Sequence, residues 1–554
     1  MQTAPHFRAA RLGALLLTIT TVCLALPSLG TPAGAEVGDP ATGSSVELPD
    51  DAVVRYVDTG AAERVWPHTD VWPDGSRDFP YPSITWGVGE AQKLRSSGSA
   101  VHLLVAPGVY RETVSVSSAG DAPKPLVIEA EVPGSVIVSG ADVEQRWTPI
   151  AGTAQLWSPW VQNWGLSPIP SGQTSSSTPY LIRRRETMLV DGKPLAQVAN
   201  RSALTPGTFV VDESANQIIA VPPTGMTDFA GHLVEVAQRE RALEIKVAAR
   251  AVAVKGFVFE AAAPGLAKFM VYVSDSANIL IEGNTFRYSS WGGLGFCCTD
   301  AVTVRGNLAI DNGGNGIDTY KVLNAVIEDN YIARNNVRGF QSGYVGWSTA
   351  GSKHFRLQDA VLRGNTYEGN LARGLWFDTS VKNILIDGDR SCGSVGDGVF
   401  LEASQGPFTI QDASFCDNGG AGIAVSTTGN VRVERSTLSN NVYGQLVFTG
   451  VRSRTWTDHI TNKSITMGFF DNWTLMDNTL SSPGSASLIY SPVIPIADWK
   501  KMLGAHEIVA ARNVWSRPSM VYAIKIQATD YTMAEWQAAT GDSEPVAATK
   551  LLGK

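Results

Sequence analysis

Two short runs, 369-GNLARGLWFDTS-380 and 396-GDGVFLEAS-404, each place an acid four residues after a glycine with aromatic side chains nearby. Gly374 leads to Asp378, and Gly398 leads to Glu402. Side chains alternate between the two faces of a strand. Counted from each glycine, Leu375, Phe377, Val399 and Leu401 share the inner face. Trp376, Asp378, Phe400 and Glu402 share the outer one. Stacked as neighbouring strands, the two carboxyl groups would face each other across about 4.8 Å. Retaining glycoside hydrolysis uses carboxyl groups about 5–5.5 Å apart, whereas the inverting reaction needs about 6.5–9.5 Å to admit water. Acids that close resist simultaneous ionisation, so one keeps its proton near neutrality and the other is left as the nucleophile. The competing readings are two calcium ligands, or a solvated pair that rotates apart.

For the acids to stack, the chain must coil with a fixed beat, and it does. Glu282-Gly283-Asn284, Arg305-Gly306-Asn307, Glu328-Asp329-Asn330 and Arg363-Gly364-Asn365 each follow a short β-rich run. Degraded copies follow at Asp387-Gly388-Asp389, Gln411-Asp412-Ala413 and Glu434-Arg435-Ser436, giving intervals of 23, 23, 35, 24, 24 and 23 residues. Glycines at 295, 316, 339, 374, 398, 422 and 444 keep nearly the same time. A period in the low twenties, built of short strands and Gly/Asn turns, predicts an all-β right-handed parallel β-helix. The leucine-rich skeleton that shares the period is absent. Asn284, Asn307, Asn330 and Asn365 read as turn and ladder residues, because Asn tolerates the left-handed region and bonds its own turn.

The one long interval lies immediately before Asp378. Its extra residues, 341-QSGYVGWSTAGSKH-354, predict a wall beside the acids, and functional loops are often grafted on rigid scaffolds in this way. Gln341, Tyr344, Trp347, Lys353 and His354 are its candidate sugar contacts, although His354 reads first as a loop-packing residue. Trp376 and Phe400 offer an apolar platform, and Asp318 and Tyr320 point outward from the preceding coil. Cys392 and Cys416 are 24 residues apart and should stack. A buried sulfur ladder is the preferred reading over a disulfide, and the vicinal Cys297-Cys298 yields no reading.

The run 339–378, followed by 398-GVFLEAS-404, resembles secreted actinobacterial proteins related to the glycoside hydrolase family 120 β-xylosidases. The specific part is the G-L-W-x-D and G-x-F-x-E pair. The insert segment 184-RRETMLVDGKPLAQV-198 and the tail AEWQAATG are similar as well. The resemblance implies a parallel β-helix with an inserted β-rich domain and hydrolysis of xylosides with retention. Within it, Asp378 matches the nucleophile and Glu402 the general acid/base. The family's EAGGxK loop is only partly kept, as 348-STAGSK-353.

Residues 1–35 read as a secretory leader, with Arg8 and Arg11 ahead of the apolar run Leu12–Leu26 and Ala33-Gly34-Ala35 at the cleavage site. The expected product is secreted and has no membrane span. Residues 36–142 read as an N-terminal cap with the first coils, and 143–245 as an inserted β-rich subdomain. Residues 246–451 read as the coils that carry the site, and 452–554 as a capping segment. With 44 basic and 52 acidic residues, and a formal charge of −8, the chain lacks the basic surface of a nucleic-acid binder. It also argues mildly against a strongly anionic polysaccharide. Neither cysteines nor histidines show metal-site spacing, so no cofactor is called for, and calcium is compatible but not required. The expected partner is an oligo- or polysaccharide. Against the hydrolase stand a polysaccharide lyase, with Lys353 as base and calcium on Asp378 and Glu402, and a non-catalytic glycan-binding solenoid.

Overall fold

The computed structural model describes residues 43–60, 72–120, 123–160, 162, 164–519 and 523–542. The leader read at residues 1–35 lies outside them. No described helix is long and apolar enough to cross a membrane.

Each turn of the chain contributes strands to stacked parallel ladders. The site lies on one column: β1 (Ile317–Tyr320), β2 (Ala350–Phe355), β3 (Arg373–Asp378), β4 (Val399–Ser404) and β5 (Ala421–Glu434). Each pairs in parallel with the next. A second column includes Gln358–Arg363, Lys382–Asp387 and Phe408–Gln411. A third, of twelve short strands, includes Thr366–Glu368, Arg390–Cys392 and Ser414–Cys416. Inward residues join one apolar core that runs the length of the solenoid, from Val57 to Trp536.

Two polar ladders hold the coils in register. Asn307 Nδ2 donates 3.0 Å to Asn330 Oδ1, and Asn330 Nδ2 donates 2.9 Å to Asn365 Oδ1. Each also reaches a backbone carbonyl, Ile281 O from Asn307 and Val304 O from Asn330. Asn312, Asn335 and Asn370 repeat the device one turn away. Side chains with both donor and acceptor can be buried here because every coil supplies the next one's partner. At the intervening positions the backbone is left-handed, at Gly283, Gly306, Asp329 and Gly364, and these short turns need that conformation.

The glycine column differs from the sequence reading. It runs through Gly293, Gly316, Gly351, Gly374, Gly398 and Gly422, where a Cβ would stand 2.7–2.8 Å from the next coil's carbonyl oxygen. Gly295 instead pairs with Asp318, and Gly339 lies in the helix Val337–Gln341.

Residues 141–237 leave the solenoid to form a four-stranded and a five-stranded sheet with their own core around Met188, Phe209, Ile218 and Val236. Leu243–Ile245 already pairs with Val114–Val116 and Leu243 with Val271, so the solenoid resumes before residue 245. The segment from 452 is not a cap throughout. Phe470–Met476, Ile489–Ser491, Ile508–Ala511 and Ile524–Ile526 continue the parallel columns. Their beat is stretched to 42 and 35 residues by an inserted hairpin and by the helix Ile496–Gly504, which hides it in the sequence. The stack stops where Thr529–Tyr531 turns antiparallel and the helix Met533–Thr540 buries Trp536 against Trp515. Covering the last strands in this way protects an open edge.

Cys392 and Cys416 form a disulfide between adjacent coils, with Cα atoms 4.6 Å apart. This corrects the sulfur-ladder reading: register partners at that separation lie within the range a disulfide spans.

Candidate functional site

In β3 and β4, Leu375, Phe377, Val399 and Leu401 are fully buried in the core. Their outward neighbours pair rung to rung, Trp376 with Phe400 and Asp378 with Glu402. The ring centroids of Trp376 and Phe400 are 5.5 Å apart. The guanidinium of Arg373 lies 4.6 Å and 4.7 Å from them.

Each acid has its own cation. Lys353, on β2, sets Nζ 2.8 Å from Asp378 Oδ2 and 3.6 Å from the centre of the Trp376 ring. The Thr379 hydroxyl donates to Asp378 Oδ1 at 2.8 Å. Arg454 sets Nη1 2.8 Å from Glu402 Oε1. It comes from a hairpin, β6 (Arg454–Thr457) and β7 (Ser464–Met467), which packs Trp456 and Met467 on Ala403. The hairpin leaves the Glu402 side chain 9% exposed, against 14% for Asp378. Burial pushes the Glu402 carboxyl above its ordinary range, the charge of Asp378 pushes it further, and Arg454 opposes both. The pair thus has one acid biased to keep its proton and one held by an ammonium and a hydroxyl.

Asp318 is register-paired with Lys353 and nearly buried. Its Oδ1 accepts the Lys353 backbone N–H at 2.9 Å, and its Oδ2 accepts from Asn315 Nδ2 at 2.6 Å. Burial raises its carboxyl to about 7. It positions the strand that carries Lys353. Tyr320 stacks on Phe355 at 5.4 Å, and Phe355 is the register neighbour of Asp378, so two flat rings extend the column on the side of β3 away from Glu402.

The expected wall is built otherwise. Residues 350–354 belong to β2 itself, where parity sends Lys353 out and His354 in. His354 is fully buried among Thr319, Ser352 and Phe377, and burial drops it to about 3. A sugar cannot reach it, so it is no substrate contact. Tyr344 is buried with Trp291, Ile182 and Leu266, with Trp347 against them, so these two rings dock the insert onto the solenoid. Gln341 is exposed at the end of its helix. Arg454, Arg373 and Phe355 were not singled out from the sequence. Phe355 shares the ladder offset of Asp378 and was countable, whereas Arg454 lies in an insertion with no repeat signal.

A family model described as "Right handed beta helix region" matches residues 265–390, the stretch that carries β1 to β3. The chain is a right-handed parallel β-helix. A model described as "Periplasmic copper-binding protein (NosD)" matches residues 344–480 of the same β-helix. The side chains there do not fit copper: His354 is in the core and the two cysteines are bridged. Among the described residues no group of three or more His, Cys, Asp or Glu side chains is arranged to hold a metal. Curated proteins include no match to the sequence. Among solved structures, this β-helix is similar to XylC in complex with xylose, with TM-score 0.64, 12% identity and 86% of each chain covered. It is also similar to a structure described as a glycoside hydrolase, with TM-score 0.50, 11% identity, 89% of this chain and 99% of that one.

Proposed function

We propose that this β-helix is a secreted glycoside hydrolase that acts with retention, Asp378 being the nucleophile and Glu402 the general acid/base. The observation that carries the reading is the rung-to-rung pairing of the two acids, each clamped by its own cation. Adjacent strands set carboxyl groups near the separation that retention uses, about 5–5.5 Å. Glu402, with its raised proton affinity, protonates the departing glycosidic oxygen while Asp378 attacks the anomeric carbon. Glu402 then deprotonates the water that releases the sugar. Lys353 and Thr379 hold Asp378 in place through an ion pair and a hydrogen bond. Tyr320, Phe355 and Phe400 supply the flat apolar surface that sugar rings prefer, whereas Trp376, expected to share it, is buried beneath Lys353 and Arg373. The solved relative with xylose makes a xyloside the first substrate to try. Secretion rests on the leader-like residues 8–35.

The test is a panel of aryl glycosides, with product stereochemistry followed by NMR. The expected first product keeps its anomeric configuration. Asp378→Asn should lower turnover on the order of 10³-fold or more. Glu402→Gln should cost about 10²–10⁴-fold, least for good leaving groups. An inverted product, or wild-type rates in either variant, overturns the assignment.

A further inference from the structure

The paired acids neutralise Lys353 and Arg454, and Asp397 takes Arg373 at 3.1 Å. The left-handed turn residues that follow β1 and β2 on the same column are not neutralised. Lys321 and Arg356 occupy this turn on adjacent coils, directly after Tyr320 and Phe355. Their charges sit 5.5 Å and 5.2 Å from those two rings. Among the described residues neither pairs with a carboxylate. The hairpin brings His459 toward them, while its neighbour Asp458 is occupied by Lys382 at 3.5 Å and by Gln405 Nε2 at 2.8 Å. Arg356 Nε and both ring nitrogens of His459 are buried without a hydrogen-bond partner. Burial and the charges of Arg356, Lys321 and Lys382, opposed by that of Asp458, hold His459 down at about 4, so it is not a third cation.

Two cations on adjacent coils repel each other, and an anion bound between them relieves that repulsion. The partner that Lys321 and Arg356 lack is an anion at the edge of a ring-stacking surface. We infer that Lys321 and Arg356 form a subsite for the carboxylate of a uronosyl residue whose ring lies on Tyr320 and Phe355. The chain as a whole is acidic, but this corner of the cleft is not. The inference deepens the proposed glycan specificity and rests on reading the cleft as a sugar site.

The experiment uses the full-length Asp378→Asn chain, which does not turn substrate over. Its calorimetric affinity is measured for methyl glucuronoside, the neutral methyl ester of that sugar, and methyl glucoside 6-sulfate. The acid should bind about tenfold or more tightly than the ester, a difference one charge-assisted hydrogen-bond set supplies. The preference should shrink with added salt, vanish in Lys321→Met and Arg356→Met, and survive in part in Arg356→Lys. Melting curves check that each variant is folded. Equal affinity for acid and ester, no measurable uronoside binding, or tighter binding of the sulfate overturns the assignment. Failure of the hydrolase reading looks different: wild-type protein releases no aglycone, or yields an unsaturated product, while the preference for acid over ester persists.

Discussion

Asp378 and Glu402 are chemically alike and stand on matching rungs, so their roles must come from their surroundings. Arg454 is the adjustable part. It opposes the burial and the neighbouring charge that hold the proton on Glu402. Arg454→Gln should therefore raise the proton affinity of Glu402 and move the alkaline limb of the rate profile to higher pH. A profile that moves to lower pH, or does not move, contradicts the role given to Arg454.

At the scale of the element, the ladders explain what could be read from the sequence. Gly374 and Gly398 sit at one height on successive coils, so equal counting from each predicted that Asp378 and Glu402 meet. The same counting applied from Gly351 puts Lys353 outward and His354 inward. Reading residues 341–354 as one loop concealed this parity. The polar His354 is tolerated inside because Thr319 and Ser352 satisfy both ring nitrogens. Asp389 exposes the ladder's logic in another way, since it stands where earlier coils place asparagine. Its Oδ1 accepts both the backbone N–H and the Nδ2 of Asn365. Burial lifts its carboxyl to about 7 from 3.8. The folded chain therefore holds this proton more tightly than the unfolded one. The stability so gained is complete below about pH 4 and is lost as pH rises through about 7. Asp389→Asn should keep both bonds to Asn365 and remove this loss. Its melting temperature should exceed that of the wild type at pH 8 and approach it at pH 5. A deficit at pH 8 would contradict the account.

At the scale of the molecule, a solenoid's stability is a sum of neighbour interactions, and a link between two coils acts locally on that sum. The Cys392–Cys416 disulfide closes a loop of 24 residues that contains Glu402. Replacing both cysteines by alanine should cost about 3 kcal/mol by chain entropy, read as a lower denaturation midpoint. Hydrogen exchange should show the loss in the coils around residues 373–416 before it reaches the N-terminal coils. A uniform loss across all coils would show that the stack melts as one unit. The pairing of 392 with 416 was legible in the spacing; the bond was not, because stacked thiols and a disulfide share the same register. The coils beyond residue 470 were illegible for the opposite reason, since insertions broke their period without breaking their hydrogen bonds.

The hairpin that delivers Arg454 has a consequence in time. Glu402 leaves the ribosome 52 residues before its guanidinium partner. A nascent chain can wind the coils that hold both acids while the cleft still lacks its cover. Until the hairpin docks, Glu402 meets water with Asp378 already beside it and Arg454 still absent. The difference between the two acids is thus acquired late in biosynthesis, when the lid shuts.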